Sequence, residues 1–455
     1  MWLARLPSTP RLPHSPLPIS APVPIPRLPV RPMPTLLINT SEVVTCEGPS
    51  RARRAPEMRD AGVRRDVGVA IGDDGRILAI APDRELRAQF PKATEIDCAQ
   101  GVLTPGFVDS HTHAIFGRSR HAEQEMRAAG VGYMEIAKRG GGIHSSVRDL
   151  RERSEDDLVM LAAERLARLA AHGSTTIEVK SGYGLSLESE LRTLRVIRRL
   201  AQDLPIRLVP TFLGAHEIPL EYREAPRSRE DYIAVLIDEM IPAVAKDSLA
   251  RFCDIFCEPG VYTPAEARRV LGAARAQGMA LKLHADELEH AGAAELAAEI
   301  GATSADHLAA VSELGIQALA NSGTVATLLP GTMLFLGRNK QAPARAMLDA
   351  GCAIALASDF NPGTSPTVNF PLILTLGVSQ LRLSVAEAFI AATVNGAAAL
   401  GLAGEVGQLA PGFSADLALF DVRDHREIPY WYGDQRCVAT WLRGRPGYAP
   451  KRLSH

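Results

Sequence analysis

Histidines and carboxylates recur in this sequence beside short apolar runs, and their types suit the binding of a metal ion. The stretch GFVDSHTH (106–113) puts His111 and His113 two residues apart at the end of one such run. Side chains alternate faces along a strand, so Asp109, His111 and His113 are expected on one side. Two imidazoles so spaced can both reach one ion at the roughly 2.0–2.1 Å of a zinc–nitrogen bond. Other runs end in the same kind of residue: His284-Ala-Asp-Glu287, Asp306-His307 and Ser358-Asp359. Three imidazoles and a carboxylate can hold zinc or iron with one position left for water. An ion held in this way lowers the pKa of a bound water to about 7, which suits hydrolysis at neutral pH. Taken singly, each residue has a plainer reading, a hydrogen-bonded core histidine or an aspartate capping a helix. Their joint placement points to one hydrolytic centre.

The elements that must position them follow from the β-type runs. Eight occur in the middle of the chain, at 103–108, 174–180, 206–212, 252–257, 280–283, 303–306, 324–329 and 353–357. Helix-like stretches lie between them, among them 156–171, 187–202 and 264–277. This alternation predicts an α/β fold, a (β/α)8 TIM-type barrel over 101–404, whose site lies where its strands end. A doubly wound sheet is the rival, but no Gly-x-Gly-x-x-Gly turn follows an early strand. Strand-like runs at 36–44, 67–71 and 77–81, the last two joined by a Gly72-Asp-Asp-Gly75 turn, are answered by others at 415–421 and 438–442. A small β-sandwich domain is therefore expected from N- and C-terminal segments, 35–100 and 405–445, with a tail at 446–455. The charged stretch 47–66 reads as a surface loop. Residues 1–34 carry proline every few positions, which excludes regular structure, and read as a disordered extension ahead of a working chain that starts near Met33.

Composition narrows the function. The chain has 455 residues, 46% hydrophobic and 22% charged, the balance of a soluble globular enzyme. A net charge of −2 gives no broad case for nucleic acid or an anionic membrane surface. No run nears the roughly 18 apolar residues that span a bilayer. The six cysteines (Cys46, Cys98, Cys253, Cys257, Cys352, Cys437) form no Cys-x-x-Cys and read as reduced thiols of a cytoplasmic protein.

With these residues in place, the chain resembles the amidohydrolase superfamily of metal-dependent hydrolases from about residue 36 to 442. The stretches that carry the resemblance are DSHTH (109–113), GGGI (140–143), KSGYG (180–184), PTFLGAH (210–216), HADE (284–287), ADH (305–307) and ASDFNPGT (357–364). Within the superfamily, they match the branch that opens a cyclic amide in histidine degradation. The resemblance implies hydrolysis of 4-imidazolone-5-propanoate to N-formimidoyl-L-glutamate. It implies metal ligation by His111, His113, His284 and Asp359, with His307 beside them as an acid/base or orienting group. Arg120 is implied for the propanoate arm, and Tyr183, His216, Asn361, Gly363 and Thr364 for further substrate or product contacts. Glu287 is implied against the ring, and either it or Asp359 serves as the base. Arginine's planar fork suits a carboxylate, and Arg118 competes with Arg120 on that ground alone. The superfamily's two-metal members carry a lysine at the end of the fourth strand. Here that place reads Phe256-Cys-Glu-Pro259, so one ion per chain is expected, Zn2+ or Fe3+, with Glu258 the only candidate bridge to a second. Lys282 is expected below the site as a buried pairing partner. The resemblance also implies a homodimer acting on a small molecule.

Overall fold

The computed structural model describes residues 34–131, 135 and 141–448. Most of the proline-rich extension, Gly140 of the GGGI stretch and residues 449–455 of the expected tail lie outside the described residues.

Eight parallel strands form the centre: β1 (Phe107–Asp109), β2 (Ser174–Lys180), β3 (Arg207–Ala215), β4 (Phe252–Cys257), β5 (Ala280–Ala285), β6 (Ser304–His307), β7 (Val325–Leu328) and β8 (Ile354–Leu356). Each pairs with the next in sequence, the pattern of a barrel. The strands are near-continuous buried runs because helices cover them outside and side chains fill them inside. Every residue of β2 is buried, although its sequence STTIEVK includes two charges. The covering helices start at side-chain caps: Ser154 accepts the Asp157 N–H ahead of Glu155–Ala171, and Thr263 that of Glu266 ahead of Pro264–Ala276. Leu158, Ala162, Leu166 and Leu169, three or four apart, form the buried stripe of the first of these helices.

β8 meets β1 just beyond the strand ends, where Thr112 and Phe360 form a parallel bridge. The Asp359 N–H donates to His111 O (3.0 Å) and the His113 N–H to Phe360 O (2.9 Å). Asp109 completes this seam, its carboxylate accepting from Ser358 N (2.9 Å) and Ser358 Oγ (2.5 Å). Asp109 thus joins the first and last strands.

Two outer sheets come from the flanks of the chain. One orders Ile77–Ala81, Gly68–Ile71, Thr35–Ile38 and Thr94–Asp97; the other Arg445–Tyr448, Cys437–Leu442, Leu417–Phe420, Val102–Pro105, Glu42–Val44 and Val63–Arg64. Leu37, Val69 and Ile71 of the first share a core with Leu103, Leu417 and Trp441 of the second, which makes a sandwich.

Four expectations need correction. The run 103–108 is two strands, not one: Val102–Pro105 pairs with Leu417–Phe420 in the sandwich, and the barrel starts at Phe107. Gly106 makes the switch, because a Cβ there would stand 2.1 Å from Thr175 Oγ1. The run 36–44 also divides, its halves lying in different sheets. The stretch 47–66 is not simply a surface loop. Arg53 within it is buried, its N–H bonded to Asn395 Oδ1 (2.7 Å) and its Nη2 to Cys46 O (2.8 Å). Finally, the expected tail starts too early: Arg445–Tyr448 is a strand paired with Cys437–Leu442, so residues 446–448 extend the sandwich.

Ser358 also accepts the Phe360 N–H (3.1 Å), so Ser358→Ala removes two bonds of the seam. Urea unfolding of the metal-free chain should show a loss of about 1–3 kcal/mol. An unchanged midpoint would mean that the barrel closes without them.

Candidate active site

The C-terminal ends of β1, β5, β6 and β8 bring His111, His113, His284, His307 and Asp359 together, all buried. His113 Nε2 lies 3.3 Å from His111 Nε2 and 3.3 Å from His284 Nε2. Asp359 Oδ1 is 3.6 Å from both His111 Nε2 and His113 Nε2. Two nitrogens bound to one ion at 2.0–2.1 Å and a tetrahedral angle stand about 3.3 Å apart, so these spacings are those of ligands around one centre.

The far side of each ring supports that geometry. His111 Nδ1 donates to Asp306 Oδ2 (2.6 Å), which leaves the lone pair on Nε2. His284 Nδ1 lies 2.9 Å from Asp254 Oδ2, off the line of a straight hydrogen bond but close enough to orient the ring. With protons directed at carboxylates, the Nε2 lone pairs face one another, which a cation relieves. Burial first, and then neighbouring basic groups, hold His111, His113 and His307 well below the ordinary histidine range, so these rings are neutral and able to bind a metal. The donor set fits zinc or iron.

Asp359 is held from two sides. Thr332 Oγ1 donates to its Oδ2 (2.6 Å), leaving Oδ1 toward the histidines, and Asn361 Nδ2 donates to its carbonyl (2.7 Å). Burial raises its carboxyl to about 6. Asp286, His307 and Asp359, at or just after strand ends of the site, have positive φ (48°, 81° and 51°). His307 has no hydrogen-bond partner on either ring nitrogen among the described residues, and its Nε2 lies 3.6 Å from Glu287 Oε2. Glu287 is buried, and desolvation, then the charges of Asp359 and Glu258, push its carboxyl well up. Glu258 is spent elsewhere. Its carboxylate accepts the N–H groups of Glu287 (3.0 Å), Leu288 (3.1 Å) and Glu289 (2.7 Å), so it fixes the loop that carries Glu287 and does not face the centre as a bridge would.

The implied substrate residues surround this cluster. His216 stacks on His113 (centroids 5.0 Å apart, 21° between planes), and its Nδ1 donates to Gly182 O (3.0 Å). The buried Tyr183 ring lies 5.9 Å from that of His113 and 5.4 Å from that of His216. Arg120 and Arg118 are told apart: the Arg118 side chain is 77% exposed and paired with Asp149, whereas that of Arg120 is 12% exposed. Arg120 is clamped by Glu123, Nε to Oε1 at 3.0 Å and Nη2 to Oε2 at 2.7 Å. It lies so close to Gly363 that a Cβ there would stand 2.3 Å from Arg120 Nη1. Asn361 is committed to its own loop, its Oδ1 accepting from Gly363 N (2.8 Å) and Thr364 N (2.7 Å). It shapes the loop rather than offering a free amide. Lys282 is buried below the site on Glu178 Oε2 (3.0 Å) and Ser110 O (2.8 Å).

Sequence reasoning passed over Asp254, Glu178, Glu123 and Thr332. The first two sit in apolar runs. An acid inside an otherwise buried strand that ends at a ligand was the available signal.

The family described as "Amidohydrolase family" matches residues 135–448. The chain is 46% identical over 405 residues to an imidazolonepropionase of Geobacillus kaustophilus, covering 88% of this chain and 94% of that protein. It is 46% identical over 420 residues to one of Symbiobacterium thermophilum, covering 91% and 97%. In fold it is similar to an adenosine deaminase from Xanthomonas campestris with bound zinc, at a TM-score of 0.67, 18% identity and coverage of 92% and 94%.

Thr332→Val keeps the shape of the buried threonine and removes its donor to Asp359. Turnover should fall about 10-fold or more, while Thr332→Ser stays near the parent. Equal turnover in both variants would show that Asp359 is oriented without Thr332.

Proposed function

The chain belongs to the amidohydrolase family, among the imidazolonepropionases, and on that premise we propose how its site works. It is a hydrolase that opens 4-imidazolone-5-propanoate to N-formimidoyl-L-glutamate in histidine degradation. The reading of the site rests on one juxtaposition: converged imidazoles and a carboxylate with Arg120, backed by Glu123, at the neighbouring loop 361–364.

The bond broken joins the ring carbonyl carbon to a ring nitrogen. The water's oxygen becomes the new α-carboxylate, and the freed nitrogen becomes the end of the formimidoyl group. His111, His113, His284 and Asp359 would hold one ion, zinc or ferric iron. When bound, it polarises the carbonyl and acidifies a water. Arg120 takes the propanoate in its free edge, since Glu123 occupies the other and fixes the plane of the fork. Tyr183 and His216 wall the ring side, with the Gly363 and Thr364 loop opposite. Asp359 accepts the water's proton, its Oδ1 standing beside the imidazoles, while burial pushes the Glu287 carboxyl well up and favours its protonated form. Glu287 then presents an O–H to the ring, and His307, which has no hydrogen bond on either nitrogen among the described residues, steadies the attacked carbonyl. Asp359 returns the proton to the departing nitrogen.

The substrate is a small molecule. No helix of the described residues is long and apolar enough to cross a membrane. All six cysteines are free and buried, which suits a reducing compartment, so a cytoplasmic location belongs to the proposal. So does the homodimer that the resemblance implies.

The test is an assay with freshly made 4-imidazolone-5-propanoate, following N-formimidoyl-L-glutamate, with metal content measured on the same sample. Arg120→Met should raise KM about 10- to 100-fold, the loss of a charge-assisted bidentate contact, and Arg118→Met should not. Equal effects of the two would overturn the assignment of the anionic arm.

A further inference from the structure

Beneath the imidazoles the barrel holds five fully buried charged side chains: Glu178 and Lys180 of β2, Asp254 of β4, Lys282 of β5 and Asp306 of β6. Nothing in the reaction above uses Lys180, although it opens the KSGYG stretch. Its Nζ lies 2.7 Å from Asp254 Oδ2, 2.9 Å from Glu178 Oε2 and 3.7 Å from Asp306 Oδ2. Asp254 is the carboxylate at His284 Nδ1, and Asp306 the one at His111 Nδ1. One ammonium therefore reaches both groups that set the rotation of two candidate ligands from opposite sides of the barrel. Lys282 differs: it bonds Glu178 and Ser110 O, comes within 3.6 Å of Asp306 and, although it neighbours Asp254 on the next strand, forms no ion pair with it.

We propose that Lys180 is a positioning residue for the metal centre, cross-bracing Asp254 and Asp306 and through them fixing the ring planes of His284 and His111. The proposal rests on the assignment of those histidines as ligands. Outer-shell partners of a ligating imidazole tune affinity strongly. The far oxygens of the two carboxylates are held locally, Ser304 Oγ donating to Asp306 Oδ1 (2.6 Å) and the Ile255 N–H to Asp254 Oδ1 (2.8 Å). The Lys180 ammonium stands instead against the Oδ2 atoms that face the two rings, so a single buried cation bears on both.

The test is Zn2+ affinity of the purified metal-free chain, read by competition with a chromophoric chelator, with circular dichroism to confirm folding. Asp254→Asn and Lys180→Met should each weaken binding by about 10- to 100-fold. The double variant should fall well short of the product of the single losses, because the Lys180–Asp254 contact is lost in both. Lys282→Met, which leaves the Lys180–Asp254 pair in place, should show a smaller loss than Lys180→Met. Should Lys180→Met fail to fold, Lys180→Met with Glu178→Gln removes one charge of each sign and should fold with the same loss. Affinity within twofold of the parent in whichever Lys180 variant folds would overturn the proposal. So would losses that multiply between Lys180 and Asp254. His111→Ala separates the two readings: retained affinity there would overturn the ligand assignment itself, and lost affinity there with none lost on replacing Lys180 would overturn the brace alone.

Discussion

Eight parallel strands make a barrel only when the last is joined to the first, and here the joint is made by the same residues that form the active site. β8 is three residues long and has little ladder of its own to offer. The connection comes from the backbone of His111, His113, Asp359 and Phe360, and from the carboxylate of Asp109 on Ser358. The first and last of the proposed ligands in the sequence, His111 and Asp359, are thus fixed to each other by a main-chain bond before any side chain is considered. That arrangement helps to sustain the positive φ of Asp359, a conformation that costs about 1–3 kcal/mol and persists only where the surroundings over-determine it.

A second constraint is electrostatic. Three carboxylates and two ammonium groups, all fully buried, occupy the layer under the imidazoles. Such groups are costly to desolvate and stay ionised only by mutual pairing. For Asp254, burial would raise the carboxyl, but Lys180 and His284 outweigh it and hold it well below the usual range. The layer carries one more negative than positive side chain, which favours a cation above it. In the proposed mechanism acid–base work is kept apart from this layer, on Asp359 and Glu287 above it.

Much of this was legible from the residues alone, for a physical reason. Strand ends are where β-type periodicity stops, so His111, His284, His307 and Asp359 stand out as polar residues directly after apolar runs. The barrel and the two-ended sandwich follow from the same runs. What escaped notice depends on contacts across the barrel. Glu178 and Asp254 look like solvent-facing positions until their partners on other strands are known, and Thr332 lies in a short helix whose sequence, PGTMLF, has no polar pattern. Gly106 hid a change of sheet because a one-residue switch leaves hydrophobicity unbroken. Arg53 was read as surface because its partner, Asn395, is 342 residues away in the chain.

Gly363 ties substrate recognition to packing. It leaves no room for a side chain beside the Arg120 guanidinium, and its N–H is already held by Asn361. A side chain there would have to push the guanidinium off the carboxylate of Glu123 that holds its plane. Removing the arginine would in turn leave Glu123 with the Gly142 N–H (3.0 Å) and Ser145 Oγ (3.4 Å) in place of its bidentate cation. A change at any one of the three positions is thus felt at the other two, and the proposed contact to the anionic arm is set by how this corner packs as much as by its charge.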